Sequence, residues 1–155
     1  MADKRDSSSV ICENRRARFN YEFLDFYEGG LVLEGTEVKS IRNGGAHINE
    51  AYAAYSRGEM WLIGAHIAPY SHAGYAQHEE RRSRKILLHE SEIAKIADAV
   101  QRDGATLVPL RLFWQRGRVK VALALSKGKK TVDKRETIKR REAERSTRRI
   151  FKGRR

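Results

Sequence analysis

Almost every aromatic and branched apolar residue of this chain falls between residues 14 and 125. Residues 126–155 carry 14 Lys/Arg against 4 Asp/Glu, a net +10, whereas residues 1–125 carry 18 against 16, a net +2. A core can form only in the first part. A segment so charged and so poor in apolar area cannot offset the entropy of ordering itself. With 155 residues there is room for one domain and a tail, not for two full domains. The expected organisation is a flexible lead over residues 1–13, a folded body over 14–125 and a basic tail over 126–155.

The overall charge of +12 and pI near 10.1 favour phosphate-rich or anionic partners. A single cysteine, Cys12, excludes an intrachain disulfide and suits a reducing cytoplasm. No apolar run has the length of a signal peptide core or a membrane span, so a cytoplasmic protein with no membrane partner is expected.

Strand signals dominate the body. Phe19, Tyr21 and Phe23 alternate with polar residues, Phe26-Tyr27 lead into Gly29-Gly30, and Leu31-Val32-Leu33 follow. Tyr52–Tyr55 and Met60–Ile63 flank Ser56-Arg57-Gly58-Glu59, a hairpin connection. Leu107–Trp114 and Val119–Leu125 flank Gln115-Arg116-Gly117-Arg118, a second one, and Val119, Val121, Leu123 and Leu125 keep period two with Lys120 outward. Pro109 cannot donate a ladder bond and should mark an edge or a bulge. Thr36 reads as the N-cap of a short helix stopped by Asn43-Gly44-Gly45. Ser91 reads as the cap of a longer one with Ile93, Ile96, Ala97 and Val100 at helical spacing and Gly104 as its end. About six strands with two to three short helices predict a mainly β fold, a small antiparallel OB-like barrel bent at Gly29-Gly30, Gly45 and Gly64.

Catalytic patterns are absent from the sequence: no phosphate-binding loop, no dinucleotide glycine pattern after a strand, no nucleophile elbow. His66, His72 and His78 fall six apart, which is no common metal spacing, and one cysteine cannot build a thiolate site. No enzyme activity, cofactor or metal is expected. Glu79-Glu80 before Arg81-Arg82 read as surface pairs, and His89 as either a packed or an RNA-facing residue.

Three basic clusters remain: Asn14-Arg15-Arg16-Ala17-Arg18, Arg81-Arg82-Ser83-Arg84-Lys85, and the tail from Lys127-Gly128-Lys129-Lys130. Arginine forks and lysine point charges give sequence-independent affinity for phosphates. In the tail, Glu136 precedes Arg140 and Glu144 precedes Arg148 by four residues, the orientation that supports a helix. Such a helix is marginal alone in water, so the tail is expected to be disordered when free and helical on RNA. Its late apolar pair, Ile150-Phe151, is suited to docking.

Five ordered stretches resemble the SsrA-binding protein family, also called small protein B: Glu13–Arg18, Gly35–Arg42, Arg84–His89, Thr106–Leu110 and Lys127–Arg135. The resemblance covers roughly residues 13–140. It implies an OB-like barrel that binds the tRNA-like domain of transfer-messenger RNA and escorts it to stalled ribosomes, where trans-translation tags the incomplete peptide. It implies RNA-binding roles for Asn14, Glu28 and Leu87, and the same surface draws in Arg15, Arg18, Lys39, Arg42, Arg84, Lys85 and His89. It implies that the tail enters the decoding centre of 16S rRNA and the empty messenger path through Lys127, Gly128, Lys129, Lys130, Val132, Asp133, Lys134, Arg135, Ile150 and Phe151. Through the RNA it further implies elongation factor Tu and alanyl-tRNA synthetase as partners. Two positions depart from the family pattern. Ser83 stands where proline is common. Val132 stands where a ring that can stack is common. Rival readings are a ribosomal protein or RNA chaperone with a basic extension, and an enzyme using His66 or His89.

Overall fold

The computed structural model describes residues 9–128, 135, 138–143 and 145. Nine strands and three α-helical elements follow in order: β1 (Val10–Glu13), α1 (Ala17–Asn20), β2 (Tyr21–Leu31), α2 (Gly35–Arg42), β3 (Ala46–His47), β4 (Tyr52–Ser56), β5 (Glu59–Ile63), β6 (His66–Ile67), β7 (Arg84–Leu87), α3 (Glu90–Asp103), β8 (Thr106–Gln115) and β9 (Arg118–Gly128). The main sheet runs β1-β8-β4-β5-β7-β2-β9, and β8 pairs again with β9. Six strands thereby close into an antiparallel ring, with β1 added outside on β8; the fold is mainly β and OB-like. Leu62, Ile67, Leu112, Val121 and Leu123 fill its interior with no exposed surface. Among the described residues no helix is long and apolar enough to cross a membrane.

Local chemistry explains the turns. Both hairpins close through an Arg-Gly pair with positive φ at both residues, Arg57-Gly58 and Arg116-Gly117. That backbone matches the twist of the flanking strands. Pro109 lies at the register shift between Pro109 and Arg111, the bulge its missing donor predicts. Gly104 ends α3 in the left-handed conformation. The helices start slightly earlier than their side chains suggest, with Glu34 and His89 as N-caps instead of Thr36 and Ser91. In each, the N-cap amide donates to a glutamate three residues on, Glu37 at 2.8 Å and Glu92 at 3.2 Å.

Two expectations are corrected. The lead does not extend to residue 13: Val10–Glu13 form β1, because the outer edge of β8 has unpaired backbone groups and Ile11 and Cys12 can pack against the core. The body does not end at Leu125: β9 continues to Gly128, with Lys127 and Gly128 opposite Glu22 and Tyr21. Gly29-Gly30 lie within β2 where it passes from pairing with β9 to pairing with β7. Of the tail, residues 135, 138–143 and 145 are helical and exposed.

Candidate RNA-binding face

The register of the ring decides which side chains share a face. Leu112, Val121, Leu31 and Ile86 point inward and are buried, so their neighbours point outward. One row on the side away from the interior crosses four strands: Glu13 on β1, Arg111 on β8, Ala122 on β9 and Glu28 on β2, with Ala122 buried between its neighbours. The next row reads Val10, Phe113, Lys120, Gly30 and Leu87, from β1 to β7; Val10 and Leu87 are exposed in it, while Phe113 is buried. At about 4.8 Å between strands, Glu13 and Glu28 stand roughly 14 Å apart, and Leu87 is one strand beyond. Asn14 continues from Glu13. Its amide N–H donates to the Leu110 carbonyl at 2.8 Å and its Nδ2 to the Pro109 carbonyl at 3.3 Å. The bulge in β8 therefore holds Asn14 at one end of the face. Next to it, Asn14, Arg15, Arg18 and Arg111 line an open groove of about 420 Å³.

Leu87 is exposed, and Gly30 opposite it adds no side chain, so the leucine offers a flat apolar contact. Phe26, 63% exposed, extends the apolar surface along β2. Glu28 is exposed and has no hydrogen bond or ion pair among the described residues, so both carboxylate oxygens are free to accept from base amino groups. Arg111 and Lys120 were not singled out by the sequence. They sit between Asn14 and the Glu28–Leu87 pair, and neither is ion-paired among the described residues; Arg111 lies 5.4 Å from the centre of the Phe113 ring. Period two alone turns Lys120 outward, but only the ring closure shows that it lies in the same row as Leu87. Lys85 shares the outer side of β7 with Leu87 and donates to Glu59 at 3.1 Å.

Other expected residues lie elsewhere. Arg84 is fully buried and is not an RNA contact. Its guanidinium pairs with Glu37, itself fully buried, and donates to the carbonyls of Ala65, Glu79 and Glu80 at 2.8, 3.3 and 3.1 Å. Inward alternation on β7 puts it there, and only a carboxylate makes that position tolerable. Burial on its own would push the Glu37 carboxyl up. Hydrogen bonds from Arg82, the Glu34 amide and Arg84 outweigh it and hold the group below the usual carboxylate range. Lys39 and Arg42 are exposed on α2, away from the outward rows, and Arg42 lies 5.8 Å from the centre of the Trp114 ring. His89 is exposed at the α3 N-cap. Lys129, Lys130, Val132, Asp133, Lys134, Ile150 and Phe151 lie outside the described residues, while Arg135 is helical and exposed.

No nucleophile or metal cluster competes with this reading among the described residues. Burial pushes the Cys12 thiol up to about 11, so it stays protonated at neutral pH. No three His, Cys, Asp or Glu side chains are placed to hold a metal.

The SmpB protein family matches residues 11–153. The SsrA-binding protein of Trichormus variabilis is 52% identical over 153 residues, covering 98% of this chain and 99% of its own length. That of Rhizobium meliloti is 51% identical over 152 residues, covering 97% and 96%. A solved structure described as "tmRNA-SmpB: a journey to the center of the bacterial ribosome" superposes with a TM-score of 0.63 at 46% identity, covering 77% of this chain and 84% of that one. Half the residues are shared along nearly the full length, and the ring is shared as well: the chain belongs to the SmpB family.

Proposed function

We propose that this protein binds the tRNA-like domain of transfer-messenger RNA and delivers it to stalled ribosomes for trans-translation. The observation that carries this reading is the outer face. It gathers Asn14, Glu28 and Leu87 with two cations that have no acidic partner among the described residues, Arg111 and Lys120, across adjacent strands. The face is nearly neutral in its acceptors and donors, which suits recognition. The tail's net +10 suits sequence-independent attraction to ribosomal RNA. In this reading the tail, helical in the free chain at residues 135, 138–143 and 145, is held in the decoding centre and messenger path. The protein acts in the cytoplasm as a binding protein and not as an enzyme.

Truncation after Gly128 keeps every paired residue of β9 and tests this division of labour. The truncated protein should bind the tRNA-like RNA within a few-fold of the full chain and should fail to support ribosome rescue. Loss of RNA binding on truncation would overturn the division. On the face itself, Lys120→Ala should weaken binding and lower the slope of log affinity against log salt by roughly one unit. Leu87→Asp should weaken it by roughly tenfold or more, because the change removes an apolar contact and sets a carboxylate against the phosphate backbone. Both are read by titrating labelled RNA at several salt concentrations.

A further inference from the structure

The segment between β6 and β7 carries a patch of aromatic and basic groups apart from the outward rows. Its base is tied to α2 and the turn that follows it. Ser40 Oγ donates to the Ala68 carbonyl at 2.6 Å, and the Ala68 amide donates to the Gly45 carbonyl at 2.6 Å. The buried His78 ring donates from Nε2 to the Ile67 carbonyl at 3.0 Å, which leaves Nδ1 to accept the Thr36 hydroxyl at 2.9 Å. Gln77 then clamps the backbone of Tyr70 from both sides, accepting its N–H at 3.0 Å and donating to its carbonyl at 2.9 Å.

Held by these bonds, Tyr70 meets His72 edge-on at 5.6 Å, and Lys39 Nζ lies 5.6 Å from the centre of the Tyr70 ring. Tyr75, on the single turn Gly74–Ala76, is 111% exposed, so its ring packs against nothing. Arg42 follows Lys39 by three residues on α2, and neither cation has an acidic partner among the described residues. The nearby Glu80 is taken by His66 at 2.9 Å. His72 and Tyr75 are exposed on a loop that hydrogen bonds already hold, and so do little for the fold, since exposure forgoes the burial that would make them stabilising; Tyr70 beside them is half-buried. Rings beside cations that have no acidic partner among the described residues suit unpaired nucleotides: the bases stack, and the phosphates find charge. An interface for another protein would call for aliphatic neighbours, and the loop supplies few.

We propose that Tyr70, His72 and Tyr75, with Lys39 and Arg42, form a second RNA contact, a platform on which unpaired nucleotides stack. It rests on the reading of the chain as an RNA-binding protein and adds a surface to it. The test uses the full chain and an unpaired RNA hexamer containing 2-aminopurine, at fixed salt. Tail charge alone gives affinity without stacking, so the readout is quenching of the 2-aminopurine emission. The wild-type protein and Tyr75→Phe should quench it. Tyr75→Ala should lose most of the quenching and weaken hexamer binding by fivefold or more, with Tyr70→Ala/Tyr75→Ala weaker still. Equal quenching by wild type and the double variant would overturn the platform. So would ultraviolet crosslinking of Tyr75 to a protein instead of RNA in ribosome complexes. Binding of the tRNA-like RNA is measured alongside. If it persists while the hexamer result fails, only the platform is lost; if wild type does not bind it, the proposed function itself fails.

Discussion

Glu37→Ala should lower the stability of the protein by about 3–5 kcal/mol, the range for breaking a buried ion pair from one side. The fully buried Arg84 would lose its carboxylate, Arg82 would keep only Glu34 at 3.9 Å, and the Glu34 amide at the start of α2 would be left without an acceptor. In a thermal scan the midpoint should fall by roughly 10 °C or more. Glu37→Gln should fall less, since it keeps the shape and one acceptor. The acid side provides a second check. A carboxyl held below its unfolded value stabilises fully above the ordinary carboxylate range, and that contribution is lost as pH falls through the lowered value. Stability of the wild type should therefore drop below about pH 4, and the drop should be shallower in Glu37→Gln. An unchanged midpoint in Glu37→Ala would mean that water reaches Arg84 and compensates it.

Gly29→Ala should be nearly as damaging, and it should reach the RNA face. A Cβ at Gly29 would stand 2.6 Å from Ile86 Cγ2 and 2.9 Å from the Leu87 carbonyl oxygen. The second neighbour is backbone, so rotamer changes cannot relieve the contact. Either β2 and β7 separate at the Gly30–Leu87 pair or the inward Ile86 shifts. Overpacking of this kind costs typically 1–3 kcal/mol. Because Leu87 moves with its carbonyl, binding of the tRNA-like RNA should weaken along with stability. Gly30→Ala is the contrast: its nearest contacts, Leu87 Cβ and Cδ1, are at 3.7 Å, ordinary van der Waals distance, so stability should hardly change. Equal melting points for the two variants would refute the close-approach argument.

Much of the fold was legible because its signals are local. Arg-Gly turns, the proline at a bulge, the glycine after α3 and the period two of β9 each act within a few residues. What was not legible depends on pairings between distant segments. The partner of Arg84 lies 47 residues away, so a basic run in the sequence looked like one cluster when the ring sends Arg84 inward and Lys85 outward. Arg111 drew no notice, and Lys120 was read only as outward, for the same reason: closure of β8 on β9 and of β9 on β2 is what sets them beside Glu28 and Leu87. Val10–Glu13 look too short and too close to a polar terminus to be a strand until the bare edge of β8 is known.

That added strand has a thermodynamic consequence. β1 has a single neighbour in the sheet, whereas β8 and β9 each hold others on both sides. Within the main sheet it is the strand whose detachment would break the fewest bonds, so its amides should exchange with solvent well before those of β9. Asn14 is oriented by the same edge, so each opening of β1 also scatters one end of the RNA face. A bound RNA that grips Asn14 holds the open form at bay, and the slowing of exchange at Cys12 and Glu13 on adding RNA would report how much of the binding free energy is spent keeping the strand in place.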